Sequence, residues 1–143
     1  AAYCADWFAA QMSVALTAQL DDWQPDLITY MPIGFLHYRK RGYNQAELLA
    51  KLIAKPLSLP CEATLRKRWF VGKQSAQKDY AARQSNAKDA VLPKGGVDLT
   101  GKSVVLVDDI ITTGATAAAA VKALREMGAS RVYVLAATFT PRK

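Results

Sequence analysis

The chain has 143 residues, a formal net charge of +7 at pH 7, and a composition with 51% hydrophobic and 22% charged residues. These values predict one soluble globular domain with a hydrophobic core, and they exclude an intrinsically disordered chain. No apolar run approaches the ~20 residues that cross a bilayer, and the apolar N-terminus lacks the basic leader of a signal peptide. We therefore expect no membrane insertion.

The two cysteines, Cys4 and Cys61, lie far apart and lack the spacing of metal ligands. Such sparse cysteines indicate a reducing compartment, so we expect a cytoplasmic protein in which both cysteines are packing residues. The basic charge balance favours anionic partners such as phosphates or nucleic acid. A basic surface without any such ligand has the same composition, so charge alone does not decide between the two.

In the first half of the chain, apolar spacing predicts two helices and one strand. A stripe of apolar residues every four positions predicts a helix over Ala5–Leu20, and the run Leu27–Met31 predicts a strand stopped by the proline after it. A second helix is expected to begin at Asn44, because Glu47 completes a capping-box pattern, and to end at Pro56. Its expected buried face consists of the aliphatic residues Leu48, Leu49, Leu52 and Ile53.

The middle of the chain has little core-forming pattern. Ala63–Leu65 predicts a short strand, and the polar, basic segment Arg66–Leu92 follows it. A connection of this length in a compact domain is either functional or mobile.

The last third of the chain has the strongest pattern. The apolar run Ser103–Val107 predicts a central parallel strand covered on both faces. Gly114 leads into an alanine-rich helix over Ala115–Met127, which Gly128 is placed to stop, and Arg131–Phe139 predicts another strand. Strands that alternate with helices predict a single α/β domain over residues 1–143, with a doubly wound, mainly parallel sheet.

Two adjacent carboxylates, Asp108 and Asp109, directly follow the predicted central strand. Ligands of such sheets bind beyond the carboxyl ends of the strands. A buried pair of carboxylates is costly unless a partner compensates it, and a ribose diol can donate one hydrogen bond to each. A divalent cation is the alternative partner.

A turn that suits a phosphate comes next in the chain. It supplies hydroxyl groups and closely spaced backbone N–H groups at the start of a helix, where the helix dipole favours an anion. Its residues are Thr112, Thr113, Gly114, Ala115 and Thr116. Together with the acid pair, this order matches a 5-phosphorylated ribose, whereas in the alternative interpretation these residues only cap the helix.

The segment 104–116, VVLVDDIITTGAT, resembles the phosphoribosyl pyrophosphate (PRPP) binding motif of type I phosphoribosyltransferases. More narrowly, the chain is similar to the ComF/GntX family over roughly Pro25 to Thr138. The residues that carry this similarity are Pro32, the segment 41–50 (RGYNQAELLA), Gln74, Arg83 and Asn86. Members of that family usually carry an N-terminal zinc module rich in cysteine, and we expect this chain to be the transferase-fold portion without it.

The resemblance implies a role for each matching residue. Asp108 and Asp109 would be catalytic and would hold the ribose, and the turn 112–116 would hold the 5-phosphate. Residues implied to contact pyrophosphate or another anion are Ile33, Gly34, Arg39 and Arg41. The polar segment would be a mobile hood over the site, with Lys73, Gln74, Arg83 and Asn86 as its contact residues. Mg²⁺ would arrive on the pyrophosphate oxygens, without a direct protein ligand.

The function that the resemblance implies is transfer of a phosphoribosyl group to an unidentified nucleophile, in bacterial competence and DNA uptake or utilisation. Two alternatives remain open. One is a non-catalytic module that binds PRPP or a phosphoribosyl nucleotide. The other is an accessory protein that binds single-stranded DNA, with bases stacked on Trp69 beside Arg66, Lys67 and Arg68, although Trp69 fits equally well as an anchor onto the core.

Two further patterns are interpreted without a function. Residues 96–103 match the Walker A pattern, but that pattern needs a helix after it and here a strand is predicted. His37, the single histidine, is interpreted as a solvated residue, with a ligand role beside the pyrophosphate turn as the minor alternative.

Overall fold

Three parallel strands organise the computed structural model, which describes residues 2–34, 39, 42–67, 91–111 and 114–139. The elements in chain order are α1 (Ala2–Trp23), β1 (Leu27–Tyr30), α2 (Gln45–Leu57), β2 (Leu65–Lys67), β3 (Val91–Pro93), β4 (Ser103–Ile111), α3 (Ala115–Glu126) and β5 (Arg131–Phe139). In the described part of the chain, no helix combines the length and the apolar character that crossing a membrane requires.

β4 is the central strand and pairs in parallel with β1 on one side and β5 on the other. A separate antiparallel ribbon joins β2 to β3. At the free edge of β1, Ile28 also pairs with Cys61 in an isolated bridge. Burial raises the pKa of the Cys61 thiol, which agrees with the expected packing role of this residue.

Helices cover both faces of the three-stranded sheet. On one face, α1 and α2 pack against Val105 and Val107, and on the other face α3 packs against Val104 and Leu106. All four side chains are fully buried. This two-sided burial is the reason that β4 reads as a continuous apolar run, and it confirms the predicted doubly wound α/β fold.

The helix and strand predictions agree with the structure in type, and the bounds of most elements differ by one to three residues. The short strand predicted over Ala63–Leu65 lies instead at Leu65–Lys67. β4 continues to Ile111, four residues beyond the predicted end, because its last residues pair with the end of β5. β3 was not predicted, since it spans the end of the segment Arg66–Leu92 that was taken as irregular. The face of α2 is buried mainly through Leu49, Ile53 and three alanines, whereas Leu48 and Leu52 are only partly buried.

The start of α2 is fixed by a buried cap. Asn44 Oδ1 accepts hydrogen bonds from the backbone N–H groups of Ala46 at 3.0 Å and Glu47 at 3.5 Å. Asn44 Nδ2 donates to the carbonyl oxygen of Met31 at 3.0 Å. One side chain therefore caps α2, as the sequence predicted, and also ties the helix to the carboxyl end of β1.

The segment that matches Walker A lies between β3 and β4, and it forms a turn that leads into a strand. Within it, Asp98 Oδ1 accepts from the N–H and the hydroxyl group of Thr100, at 3.0 and 2.6 Å. A phosphate-binding loop of that class opens a helix, so the structure confirms that this match is a turn.

Gly128→Ala is expected to lower the free energy of unfolding by about 1–3 kcal/mol. Gly128 has φ +104°, and a Cβ atom there would lie 2.7 Å from Thr100 Oγ1 and 2.8 Å from its Cα. Urea denaturation checks the value, with Gly95→Ala as the control because nothing lies within 4 Å of a Cβ at Gly95. Equal stability of the two variants would contradict the close contact.

Candidate functional site

The two predicted carboxylates lie inside β4, near its carboxyl end. The backbone N–H of Asp109 donates to Asp108 Oδ1 at 2.8 Å, and the N–H of Ile110 donates to Asp109 Oδ1 at 2.9 Å. These local hydrogen bonds fix both carboxyl groups relative to the strand. The sheet pairing reaches past them, since Asp108 aligns with Ala136 and Ile110 with Thr138 on β5.

Asp108 is the most perturbed carboxyl group among the described residues. Its side chain is buried, and this burial, with the Asp109 carboxylate beside it, raises the pKa of Asp108 to about 7. Two contributions act in the opposite direction, namely the N–H of Asp109 and the charge of Lys67 on β2. A carboxyl group at the edge of a cleft, in a position where burial disfavours its ionised form, is typical of a functional site.

An open cleft of about 120 Å³ lies at this edge of the sheet. Three elements form it, namely the end of β1, the start of α2 and the acid pair on β4. Its lining residues are Met31, Pro32, Ile33, Asn44, Gln45, Ala46, Asp108 and Asp109. The cleft therefore combines an apolar wall with amide and carboxyl groups, which is the usual composition of a small-molecule site.

The start of α3 lies just beyond the acid pair in the chain. Gly114 is its N-cap residue and has a left-handed φ of +87°, without a side-chain cap. Apart from its chain neighbours, no described residue has an atom within 4 Å of a Cβ built at Gly114. The carbonyl oxygen of Gly114 accepts from the N–H of Ala118 and begins the helical hydrogen bonds. A helix start at a glycine without a side-chain cap can hold an anion.

The two helices that begin at this edge come from opposite faces of the sheet. The body of α2 packs on the α1 face through Leu49 and Ile53, while its first turn reaches the other core cluster through Ala46. α3 packs on the opposite face through Ala120 and Leu124. The acid pair on the central strand therefore lies beside the start of α2 in the cleft and shortly before the start of α3 in the chain, an arrangement that suits a phosphorylated sugar.

The structure brings together part of the predicted site. Ile33 lines the cleft, Gly34 is the next residue and is partly buried, and Arg39 is exposed. Thr116 lies in the first turn of α3 and is also partly buried. The remaining predicted residues lie outside the described part of the chain, and they are Thr112, Thr113, Arg41, Lys73, Gln74, Arg83, Asn86, His37, Arg68 and Trp69.

Sequence reasoning did not assign to this site three polar residues that border or influence it. Asn44 and Gln45 line the cleft, although Asn44 was read only as a helix cap. Lys67 acts on the charge of Asp108 from β2. Asn44 and Gln45 lie within the segment 41–50 that carries the family resemblance, so this segment was the available signal for them.

The fold and this site define the class of type I phosphoribosyltransferases. A solved structure described as glutamine phosphoribosylpyrophosphate (PRPP) amidotransferase from B. subtilis, complexed with ADP and GMP, is similar with a TM-score of 0.62 and 28% identity. The similarity covers 93% of this chain and 26% of that chain. The fold that carries the acid pair and the glycine at the start of α3 is therefore similar to that of a solved protein.

The chain belongs to the phosphoribosyl transferase domain family, whose model matches residues 43–142. Among curated proteins, competence protein F of Haemophilus influenzae is 32% identical over 109 residues, which are 73% of this chain and 47% of that protein. The DNA utilization protein YhgH of Escherichia coli K12 is 28% identical over 110 residues, 77% of this chain and 48% of that protein. These relatives confirm the resemblance to ComF, and the chain spans about half of their length.

Proposed function

We propose that this chain binds PRPP with Mg²⁺ at the carboxyl edge of its sheet and transfers the phosphoribosyl group to a nucleophile that is not yet identified. The observation that carries the proposal is the pair Asp108 and Asp109 on the central strand, beside the start of α2 in the cleft and shortly before the start of α3 in the chain. The ribose hydroxyls would donate to the two carboxyl groups, and the 5-phosphate would lie at the start of α3 beside Gly114. The names of the relatives suggest that the reaction serves competence or DNA utilisation, and the sparse cysteines favour the cytoplasm as its location.

This transfer requires the protein to orient the substrate and to stabilise charge, and it does not require a covalent intermediate with the protein. Loss of pyrophosphate from C1 builds positive charge on the sugar ring, and carboxylates held beside the ribose stabilise that charge. Asp108 and Asp109 are fixed by backbone hydrogen bonds of 2.8 and 2.9 Å, so they are oriented before the ligand arrives. A bound diol favours the ionised form of Asp108, which burial disfavours in the free protein.

The described residues fit a metal ion that is held mainly by the phosphate groups of the bound substrate. Asp108 and Asp109 offer carboxyl oxygens, the donor type that Mg²⁺ prefers, but two neighbouring carboxyl groups complete only part of an octahedral shell. Phosphate oxygens of the substrate would supply further donors. When bound, the ion would neutralise the charge of the departing pyrophosphate.

Asp109→Asn is expected to weaken binding of PRPP with Mg²⁺ by about tenfold to a hundredfold, because it removes one charged hydrogen-bond acceptor. Isothermal titration calorimetry measures the change. Glu126→Gln is the matched control, since it removes the same charge at the last residue of α3, distant from the helix start. Unchanged affinity in Asp109→Asn would refute the assignment of the ribose site.

A non-catalytic binding module would share these affinities, and only turnover separates it from a transferase. The discriminating measurement is release of pyrophosphate from PRPP and Mg²⁺ on addition of candidate nitrogen nucleophiles. Release that depends on the nucleophile supports transfer, and tight binding without release under all conditions supports the module.

Contact with single-stranded DNA is a second candidate, favoured by the distribution of charge. All 19 lysine and arginine residues lie at or after Arg39, and Arg66 on β2 is exposed. The proposed DNA-contacting residues are Arg39, Lys40, Arg41, Arg66, Lys67, Arg68 and Trp69. If they contact DNA, affinity falls with salt with a log–log slope of roughly −0.7 per phosphate contact.

The test is a fluorescence titration with single-stranded DNA at several salt concentrations. We expect Trp69→Ala and the triple alanine variant of Arg66, Lys67 and Arg68 to bind more weakly, and the triple variant to show a shallower slope. Lys122→Ala with Arg125→Ala on α3 controls for the loss of net charge. The DNA-binding candidate would be refuted if neither variant weakened DNA binding, or if the wild-type domain did not bind DNA at low salt. The transferase proposal would then be the only one remaining.

A further inference from the structure

Most polar groups of the first turn of α2 are occupied by partners within the protein. Asn44 uses both ends of its side-chain amide, as donor to Met31 and as acceptor from Ala46 and Glu47. The Glu47 carboxylate pairs with Lys51 at 2.8 Å, and burial together with this carboxylate raises the pKa of the Tyr30 hydroxyl. Asn44 and Glu47 are thus engaged with partners within the protein, and the helix start itself is capped.

Gln45 is the exception on this wall of the cleft. It is the first residue of α2, it is partly exposed, and it lines the cleft together with Asp108 and Asp109. Among the described residues, its side-chain amide has no hydrogen-bond partner. An amide offers two N–H donors and one acceptor without a net charge, so it can stand beside the acid pair without adding repulsion.

The position of Gln45 determines which part of a phosphoribosyl ligand it faces. With the 5-phosphate at the start of α3 and the ribose diol on the acid pair, the rest of the ligand extends towards the end of β1 and the start of α2. In PRPP that remaining group is the diphosphate on C1. A diphosphate close to two carboxyl groups is repelled by them, so it is stabilised by hydrogen-bond donors on neutral or positively charged groups.

The geometry points to Gln45 as a specificity-determining residue, whose side-chain amide donates hydrogen bonds to the diphosphate group on C1 of PRPP. This inference rests on the proposed function and deepens it. It explains how the site distinguishes PRPP from ribose 5-phosphate, because both ligands share the contacts to the acid pair and to the start of α3. Only the diphosphate reaches the start of α2.

The test compares three probes, namely PRPP with Mg²⁺, pyrophosphate with Mg²⁺, and ribose 5-phosphate. Gln45→Ala removes the donors, and we expect PRPP and pyrophosphate to bind about three- to tenfold more weakly. Gln45→Glu places a third carboxylate beside the diphosphate, and we expect a loss of about tenfold or more. A glutamate in the first turn also favours the helix, so this variant is expected to fold.

Binding of ribose 5-phosphate should stay within about twofold of the wild type in both variants, since Gln45 is not expected to touch the shared part of the ligand. Gln19→Glu on α1 is the control, as it makes the same change at another partly buried glutamine. Equal losses for ribose 5-phosphate and PRPP, or unchanged PRPP binding, would overturn the role of Gln45 alone. If the wild-type chain binds neither PRPP nor ribose 5-phosphate, the proposed function is overturned, and this inference with it.

Discussion

Gly114→Val is expected to abolish measurable binding of ribose 5-phosphate and PRPP, a loss greater than about a hundredfold, while the domain remains folded. Gly114 has φ +87°, a conformation that a β-branched residue adopts only with strain of the order of 1–3 kcal/mol. In the described part of the chain, no atom beyond the adjacent residues lies within 4 Å of the added Cβ. The loss therefore comes from the changed backbone at the start of α3 and from a side chain in the space proposed for the phosphate.

Calorimetry with ribose 5-phosphate measures the loss, and circular dichroism checks the fold. Gly96→Val is a closely matched control. Gly96 has φ +83° and equally open space, but it lies before β4, whereas Gly114 follows that strand. Both variants should lose similar stability, and only Gly114→Val should lose phosphate binding. A folded Gly114→Val protein that binds ribose 5-phosphate normally would place the phosphate site elsewhere.

Asp108→Asn is expected to raise the stability of the free protein at pH 8 and to weaken PRPP binding by about tenfold to a hundredfold. The folded state raises the pKa of Asp108 from 3.8 to about 7, so folding favours the protonated form. The native state then binds more protons than the unfolded state between about pH 4 and pH 7, and stability is lost as pH rises through this window. An asparagine stays neutral and avoids that loss.

The stability gain should be of the order of 1–3 kcal/mol at pH 8, since the cleft leaves part of the carboxyl group in contact with water. Urea denaturation at pH 4, 6 and 8 should show the gap between variant and wild type closing at low pH. Asp98→Asn is a control of opposite sign, because hydrogen bonds from Thr100 lower the pKa of Asp98. A destabilised Asp108→Asn protein at pH 8 would show that the ionised carboxylate stabilises the fold.

The opposite directions of these two effects are informative about the role of Asp108. Substitution of a residue that serves only packing lowers the stability of the protein. Substitution of a residue that serves ligand binding can raise the stability of the free protein, because such a residue can destabilise the fold. The backbone hydrogen bond from Asp109 to Asp108 Oδ1 can persist with asparagine, so the comparison isolates the charge.

Sequence patterns alone identified the main elements of the fold and the acid pair. β4 is buried on both faces, so its apolar run is continuous and easily read, and β5 has the predicted bounds Arg131–Phe139. The chemistry of Asp108, Asp109 and Gly114 is also local, because a strand, two carboxylates and a helix start follow one another in the chain. Nothing distant is needed to predict that such a segment suits a phosphorylated ribose.

Tertiary contacts decided what the sequence left open. β3 exists because Val91 and Leu92 pair with β2, more than twenty residues earlier, and β4 extends past the acid pair because β5 aligns with it. The pKa of Asp108 is raised by burial within the assembled sheet, and the charge of Lys67 on β2 offsets part of that rise. Gln45 enters the site only because α2 begins over the carboxyl edge where β4 ends. Local spacing carries no information about such pairings, since they depend on which distant segments meet when the chain folds.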